Sequence, residues 1–252
     1  MKKTLVFALL FLTFLAVDAV KAKADLMISP LRVVFEDRDR STVITLINTT
    51  NDTKTYRLGW GLLKMGTNGS YETVESFVDE NGIDRSAADM IRFSPRQVTI
   101  EPQGRQRIRL SLRRPVDLAD GEYRAHLNVM RLYDENNAPN ADGVEGAAIF
   151  MQVNLSFTIP VIVRQGKGIP QVEIANPQFM TETGPDGVPK PQLVISLNKD
   201  DSLYSTAGRI RVFWQEPNGQ SRQIGILNNV SLYPEVDRQF YSIDIDENNL
   251  PN

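Results

Sequence analysis

The feature that most constrains this chain is the run 147–164, AAIFMQVNLSFTIPVIVR. Every second residue from Ile149 onward is apolar: Ile149, Met151, Val153, Leu155, Phe157, Ile159, Val161 and Val163. The residues between are mostly polar or special: Phe150, Gln152, Asn154, Ser156, Thr158, Pro160, Ile162 and Arg164. Side chains of a strand alternate between faces, so the spacing predicts one long strand with a continuous apolar face. At about 3.3 Å per residue it would extend roughly 50 Å, against about 17–20 Å for a common strand. One small sandwich does not easily cover that length. Part of the strand is therefore expected to pack against something other than its own core.

The first 24 residues read as a leader rather than as part of the fold. Lys2 and Lys3 open it, residues 5–16 are apolar, and Ala22-Lys23-Ala24 supplies a small-x-small cleavage pattern. The mature chain is thus expected to begin at Asp25 and to be exported. A membrane helix would need about 20 apolar residues, and Asp18 interrupts this run. Loss of the leader removes four lysines and one acid, taking the formal charge from −3 to about −6. That balance favours solubility and argues against a nucleic-acid surface. The remaining 228 of 252 residues suffice for two domains of about 100–120 residues. With no cysteine, such domains must be held by hydrophobic cores large enough to dispense with disulfides.

The rest of the chain predicts an all-β fold. Short alternating runs are separated by Gly, Pro, Asn and Asp clusters at sandwich-like intervals. Residues 26–35 form one run, with Pro30 inside it at a place where a strand bends or changes sheets. Further strands are expected at 42–48, at 55–65 with Trp60, at 90–100 with Pro95 inside, at 105–113 and at 121–133. About seven strands to Arg164 fit an immunoglobulin-like sandwich. Gln165-Gly166-Lys167-Gly168 reads as a linker. Beyond it, strands near 171–175, 192–198, 208–214 and 239–245 suggest a second β-sandwich, one that looks short of strands. The expected division is 25–166 and 167–252.

The chemistry is sparse. One histidine, His126, and no cysteine leave no Cys/His metal site. His126 lies mid-strand in EYRAHLNVMRL, where a packed histidine is expected. No nucleophile elbow, P-loop or dinucleotide fingerprint is present. The acids at Asp200-Asp201 or Asp244/Asp246 could bind calcium, but no EF-hand spacing accompanies them. The expectation is a protein with no catalytic residue, no metal and no cofactor.

Four stretches carry a resemblance: SPLRVVFEDRDRSTVITLIN (29–48), RFSPRQVTIEPQGRQRIRLSLRRP (92–115), DGEYRAHLNVM (120–130) and FTIPVIVRQG (157–166). Together with the leader and the over-long last strand, they resemble the periplasmic assembly chaperones of the chaperone–usher pilus pathway, in their archaic or alternate branch. The resemblance is specific over 26–166 and weak beyond. It implies two immunoglobulin-like domains in an L or boomerang arrangement, in the periplasm. It further implies that the long strand is lent to a pilus subunit lacking its own last strand, with delivery to an outer-membrane usher. On that resemblance Ile149, Met151, Val153 and Leu155 are the donor residues. Four such side chains leaving water contribute about 6–12 kcal/mol gross, before the costs of association. Arg32 is implied as the anchor of the subunit's C-terminal carboxylate, worth about 1.5–3 kcal/mol as a charged hydrogen bond. Glu122 and Arg164 are implied as residues fixing the two domains together. The family's second basic anchor falls at Pro160, a departure that implies one of three things: a different anchoring in this branch, substitution by Arg164 or Lys167, or a weaker anchor.

The competing reading is a secreted β-sandwich adhesion module or a structural pilus component. A subunit would more often be a single domain with an N-terminal donor segment and a disulfide. A calcium-dependent module would need acids at the linker, and 167–169 has none. A glycosidase would need two opposed carboxylates in a cleft. The expected partners are therefore pilus subunits and an usher, with self-association of the free protein as a further possibility and no membrane insertion after the leader is removed.

Overall fold

The computed structural model describes residues 25–133, 155–184, 187–200, 202–217 and 219–250. Its architecture follows from alternation interrupted by proline. Strand β1 (Leu26–Ser29) and strand β2 (Val33–Phe35) are one sequence run cut at Pro30. β1 joins one sheet and β2 the other. The same happens at Pro95, where β7 (Ile91–Ser94) and β8 (Gln97–Ile100) lie in different sheets. A proline has no N–H for a ladder, so it marks the point where the chain leaves one sheet for another. The single strand expected over 90–100 is accordingly two.

The remaining strands of this half are β3 (Ser41–Asn48), β4 (Lys54–Gly61), β5 (Leu63–Met65), β6 (Tyr71–Thr73), β9 (Arg105–Leu112), β10 (Gly121–Leu132) and β11 (Ser156–Gln165). They form a four-stranded sheet, β1-β3-β9-β7, and a five-stranded sheet, β2-β11-β10-β4-β8, with β5 and β6 as a separate hairpin. Between the sheets Ile44, Leu46, Tyr56, Ile108, Leu110, Leu127, Val129, Val161 and Val163 are fully buried. Trp60 ties the layers together, its Nε1 donating to the Ile91 carbonyl at 3.3 Å and its ring meeting Phe93 edge-on at 5.3 Å. This is the first sandwich.

The second sandwich comprises β12 (Val172–Thr183), β13 (Pro189–Lys199), β14 (Thr206–Gln215), β15 (Ser221–Leu232) and β16 (Arg238–Asp244). One layer is β12-β13-β16 and the other is β14-β15. A bridge between Gly225 and Ile245 stitches the layers at one end. Ile195, Leu197, Ile224, Leu232 and Ile243 form the centre of its core. Two features differ from the sequence expectation. β12 does not stop at Ala175 but continues through a bulge at Asn176, whose φ is 52, to Thr183. β15 is an entire strand that hydropathy missed, because Gly225 and Asn228-Asn229 interrupt its apolar pattern.

Helical content among the described residues is confined to short 3₁₀ turns such as Ala88–Met90 and Glu247–Asn249, and no helix there is long and apolar enough to cross a membrane.

The two cores meet through β11. Val161 and Val163 face the first core, while Ile162 between them is fully buried in the second, with Val34 and Met65 packed beside it. Strand alternation explains this directly: a strand covered on both faces must be apolar at every position. The second core is thus completed by side chains of the first sandwich.

Candidate functional site

Strand β11 is the element around which a site can be built. β10 pairs with it along its whole length, from Met130 opposite Ser156 to Gly121 opposite Gln165. On its other side β2 pairs only with Val161, Ile162 and Val163. Among the described residues, 156–160 therefore have no strand on their outer side. An edge of this kind presents unpaired N–H and C=O groups to any chain that can add to it. Ser156 and Thr158 on this edge are exposed and Phe157 is half-buried. Leu155, just before the strand, is 41 % exposed, and its carbonyl still accepts the Arg131 N–H at 3.0 Å. Ile149, Met151 and Val153 lie outside the described residues.

The open edge ends where β2 begins, and Arg32 stands at that point. It sits on the crossover between β1 and β2, held on one side by buried Val33 and Phe35. One guanidinium nitrogen donates to the Ser205 hydroxyl at 2.5 Å and the other to the Ser231 hydroxyl at 3.4 Å. The group lies 5.4 Å from the centre of the Tyr233 ring. All three partners come from the second sandwich. Arg32 has no carboxylate partner among the described residues. It opens on a cleft of about 530 Å³ shared by both sandwiches, whose walls include Leu31, Pro160, Tyr71, Ser231 and Tyr233.

Ser205 is the node behind this arginine. Its hydroxyl accepts from Arg32 and donates to Glu122 at 2.7 Å, and its backbone N–H donates to the same Glu122 oxygen at 3.0 Å. Arg164 completes the arrangement. It meets Glu122 at 3.3 Å and Glu36 at 3.4 Å, and donates to the Ser205 carbonyl at 2.8 Å. Glu122 and Arg164 therefore both grip one serine of the other sandwich. The linker is fitted just as closely. Tyr204 donates its hydroxyl to the Gln165 carbonyl at 2.7 Å, and a Cβ on Gly168 would lie 2.1 Å from the Tyr204 ring. Only glycine lets the chain pass there.

A second cross-link was not legible in the sequence. Arg124 on β10 is 2 % exposed and paired with Glu235, both guanidinium nitrogens reaching its carboxylate. The guanidinium lies 3.7 Å from the centre of the Tyr233 ring. Glu235 also accepts the Met65 N–H at 2.9 Å, so the β5–β6 hairpin is bound into the same joint. Glu235 is 111 residues from Arg124, and no local pattern announces such a pair.

His126 lies beside this joint, 3 % exposed, its Nδ1 accepting the Leu63 N–H at 3.2 Å. Burial, and to a lesser extent the nearby Arg124 charge, lower its pKa to about 3. It is a neutral packed histidine across the physiological range. Burial next to Tyr233 likewise pushes the Tyr71 hydroxyl upward. Of the acids weighed for calcium, Asp244 accepts from Gln192 at 2.9 Å, and Asp246 caps the last 3₁₀ turn through Asn248 and Asn249. No group of three or more His, Asp or Glu among the described residues could hold a metal ion.

No family model matches the chain and no curated protein matches it. Several solved structures are similar. One is the CsuC–CsuE chaperone–tip adhesion subunit pre-assembly complex from archaic chaperone-usher Csu pili of Acinetobacter baumannii. It is 15 % identical over 83 % of this chain and 89 % of that one, with a TM-score of 0.40. A second is the E. coli chaperone DraB, 12 % identical over 88 % and 85 %, TM-score 0.42. A third is the Salmonella enterica SafA pilin in complex with the SafB chaperone, 11 % identical over 90 % and 86 %, TM-score 0.44. In each case the similar structure is a chaperone or a complex that contains one.

Proposed function

We propose that this chain is a non-enzymatic periplasmic chaperone that holds incomplete pilus subunits by donating a strand and passes them to an outer-membrane usher. In this reading residues 25–166 form the chaperone domain proper and 167–252 a second domain that braces it. The observation that carries the proposal is the half-paired strand β11. Its outer edge is open over 156–160, and the stretch running into it continues the same apolar alternation through Leu155, Val153, Met151 and Ile149. A sandwich lacking one strand exposes a groove and two unpaired edges, and such a surface aggregates. An alternating strand supplies what is missing: main-chain hydrogen bonds to the edges and every second side chain to the groove.

The direction of the edge also supports the reading. A subunit strand added along 156–160 must stop where β2 takes over the pairing. Arg32 stands at that stop with no carboxylate of its own, so a chain ending there would meet a guanidinium with its terminal carboxylate. Such a bidentate contact is charge-assisted and fixes register.

The test is capture of a subunit in the periplasm by wild-type protein and by the Met151→Asp, Val153→Asp double variant. Capture is expected to be lost while the melting temperature stays nearly unchanged. A large fall in stability would mean that 149–155 is part of this protein's own core. Retained capture would mean that the strand is not the binding element.

A further inference from the structure

The cleft at Arg32 has a second arginine on its far wall. Arg209 lies on β14, where the pairing with β15 slips: Gly208 pairs with Val230, but Ile210 pairs with Leu227. The single residue Arg209 is therefore opposed by two, Asn228 and Asn229. This is a β-bulge, a device that bends the strand and redirects side chains. Asn229 adopts a left-handed φ of 58, a conformation that asparagine tolerates better than most residues. The outcome is that Arg209, Asn228 and Asn229 all line the same cleft as Arg32 and Pro160. Gly208 lines it too, and the space where its side chain would stand is open.

The charge in this cleft is unbalanced. None of its lining residues is acidic. Arg209 is exposed and, like Arg32, forms no ion pair among the described residues. The other basic groups nearby are unsuited to the cleft. Arg164 is already engaged by Glu122, Glu36 and Ser205, and Lys167 is exposed away from it.

We infer that Arg209 is the second cationic arm of this cleft, so that Arg32 from the first sandwich and Arg209 from the second close on one carboxylate. The identity of that carboxylate as the end of a subunit strand rests on the proposed function; the two-arginine clamp itself rests on the bulge and the unopposed charge. The second charge reaches the cleft from the opposite sandwich. The arrangement makes the anion site a property of the joint: separating the sandwiches would take its two arms apart.

The test is a titration with sodium acetate against sodium chloride at matched ionic strength, read on the arginine Nε–Hε resonances of the ¹⁵N-labelled protein. Arg32→Lys and Arg209→Lys assign the two signals. Both are expected to move along one saturating curve with acetate alone. Arg209→Ala is expected to weaken acetate binding about three- to tenfold, the range of one charged hydrogen bond at a partly solvated site. Arg109→Ala, exposed on β9 and outside the cleft, is expected to change nothing. A saturable response confined to Arg32, or wild-type acetate affinity in Arg209→Ala, would overturn the clamp. Subunit capture from the periplasm separates the two claims. If both arginines bind acetate but the wild type captures no subunit, the clamp stands and the chaperone reading falls. If subunits are captured and Arg209 ignores acetate, the chaperone reading stands and the clamp falls. If Arg209→Ala loses acetate yet captures subunits as well as wild type, the carboxylate in the clamp is not the subunit's end.

Discussion

The two sandwiches are built from similar strands but bury them to different depths. In the first, both sheets close over side chains that are fully inaccessible, from Ile44 and Leu46 to Leu127 and Val129. In the second, Phe179, Met180, Phe213 and Phe240 remain more than half exposed, and the core is completed by Ile162, Val34 and Met65 of its neighbour. What the second sandwich contributes instead is polar contact with the first: Ser205, Ser231, Tyr233 and Glu235 all point across the joint. One sandwich is a self-sufficient core. The other completes its core with side chains of the first.

Cutting the joint should separate the two sandwiches most sharply. Glu235→Ala leaves the Arg124 guanidinium buried without its counter-charge, a change that costs about 3–5 kcal/mol. Chemical denaturation of this variant is expected to split into two transitions, with the second sandwich unfolding first. A single transition shifted uniformly would mean that the sandwiches unfold as one unit. Ile162→Ala comes next, at about 2–4 kcal/mol for a buried isoleucine. Although Ile162 belongs to β11, its loss is expected to lower the melting of the second sandwich more than that of the first, as followed by tyrosine or tryptophan signals of each half.

His126 gives a pH-dependent probe of the same joint. Its folded pKa of about 3 lies below the ordinary 6.5, so the unfolded chain takes up a proton below pH 6.5 that the folded one refuses. Stability from this group is therefore complete above pH 6.5 and falls with pH toward 3, by up to about 1.4 kcal/mol per unit. His126→Gln is expected to flatten the loss between pH 6.5 and 5, measured by denaturant midpoints before most carboxylates titrate. The smallest effect belongs to the exposed face of the second sandwich. Phe179→Ser is expected to change stability by no more than about 0.5 kcal/mol, which the same denaturation curves would read. A loss comparable to that of Ile162→Ala would show that β12 is covered in solution.

Sequence reading reached far into the first sandwich because its signals are local. Alternation located β3, β9, β10 and β11, and the proline at 30 marked one sheet change, whereas Pro95 read as the interior of a single strand. It placed Ile162 in the polar series of its strand, since nothing in the run 157–164 tells that a second core will cover the other face. In the second sandwich β15 escaped notice because a bulge at Asn228-Asn229 breaks the period that betrays a strand. At the joint the sequence offered only what the resemblance implied, Arg32 as a carboxylate anchor and Glu122 and Arg164 as residues between the domains. Ser205, Glu235 and Arg209 were not legible, because their roles arise from contacts spanning 83 and 111 residues of chain and, for Arg209, from a bulge. Local pattern fixes strands; it does not say which strand ends will face each other.

The proposed chaperone role requires the outer edge of β11 to receive a strand from another protein. Thr158 stands exposed on that edge, and Thr99 stands exposed on β8 at the opposite edge of the same sheet. A photo-crosslinking amino acid at position 158, in protein expressed to the periplasm, compares directly with the same group at 99. The expected result is a one-to-one adduct from 158 alone, with the link mapping to the terminal strand of a small secreted β-rich protein. No adduct from 158, or equal adducts from both edges, would contradict the account.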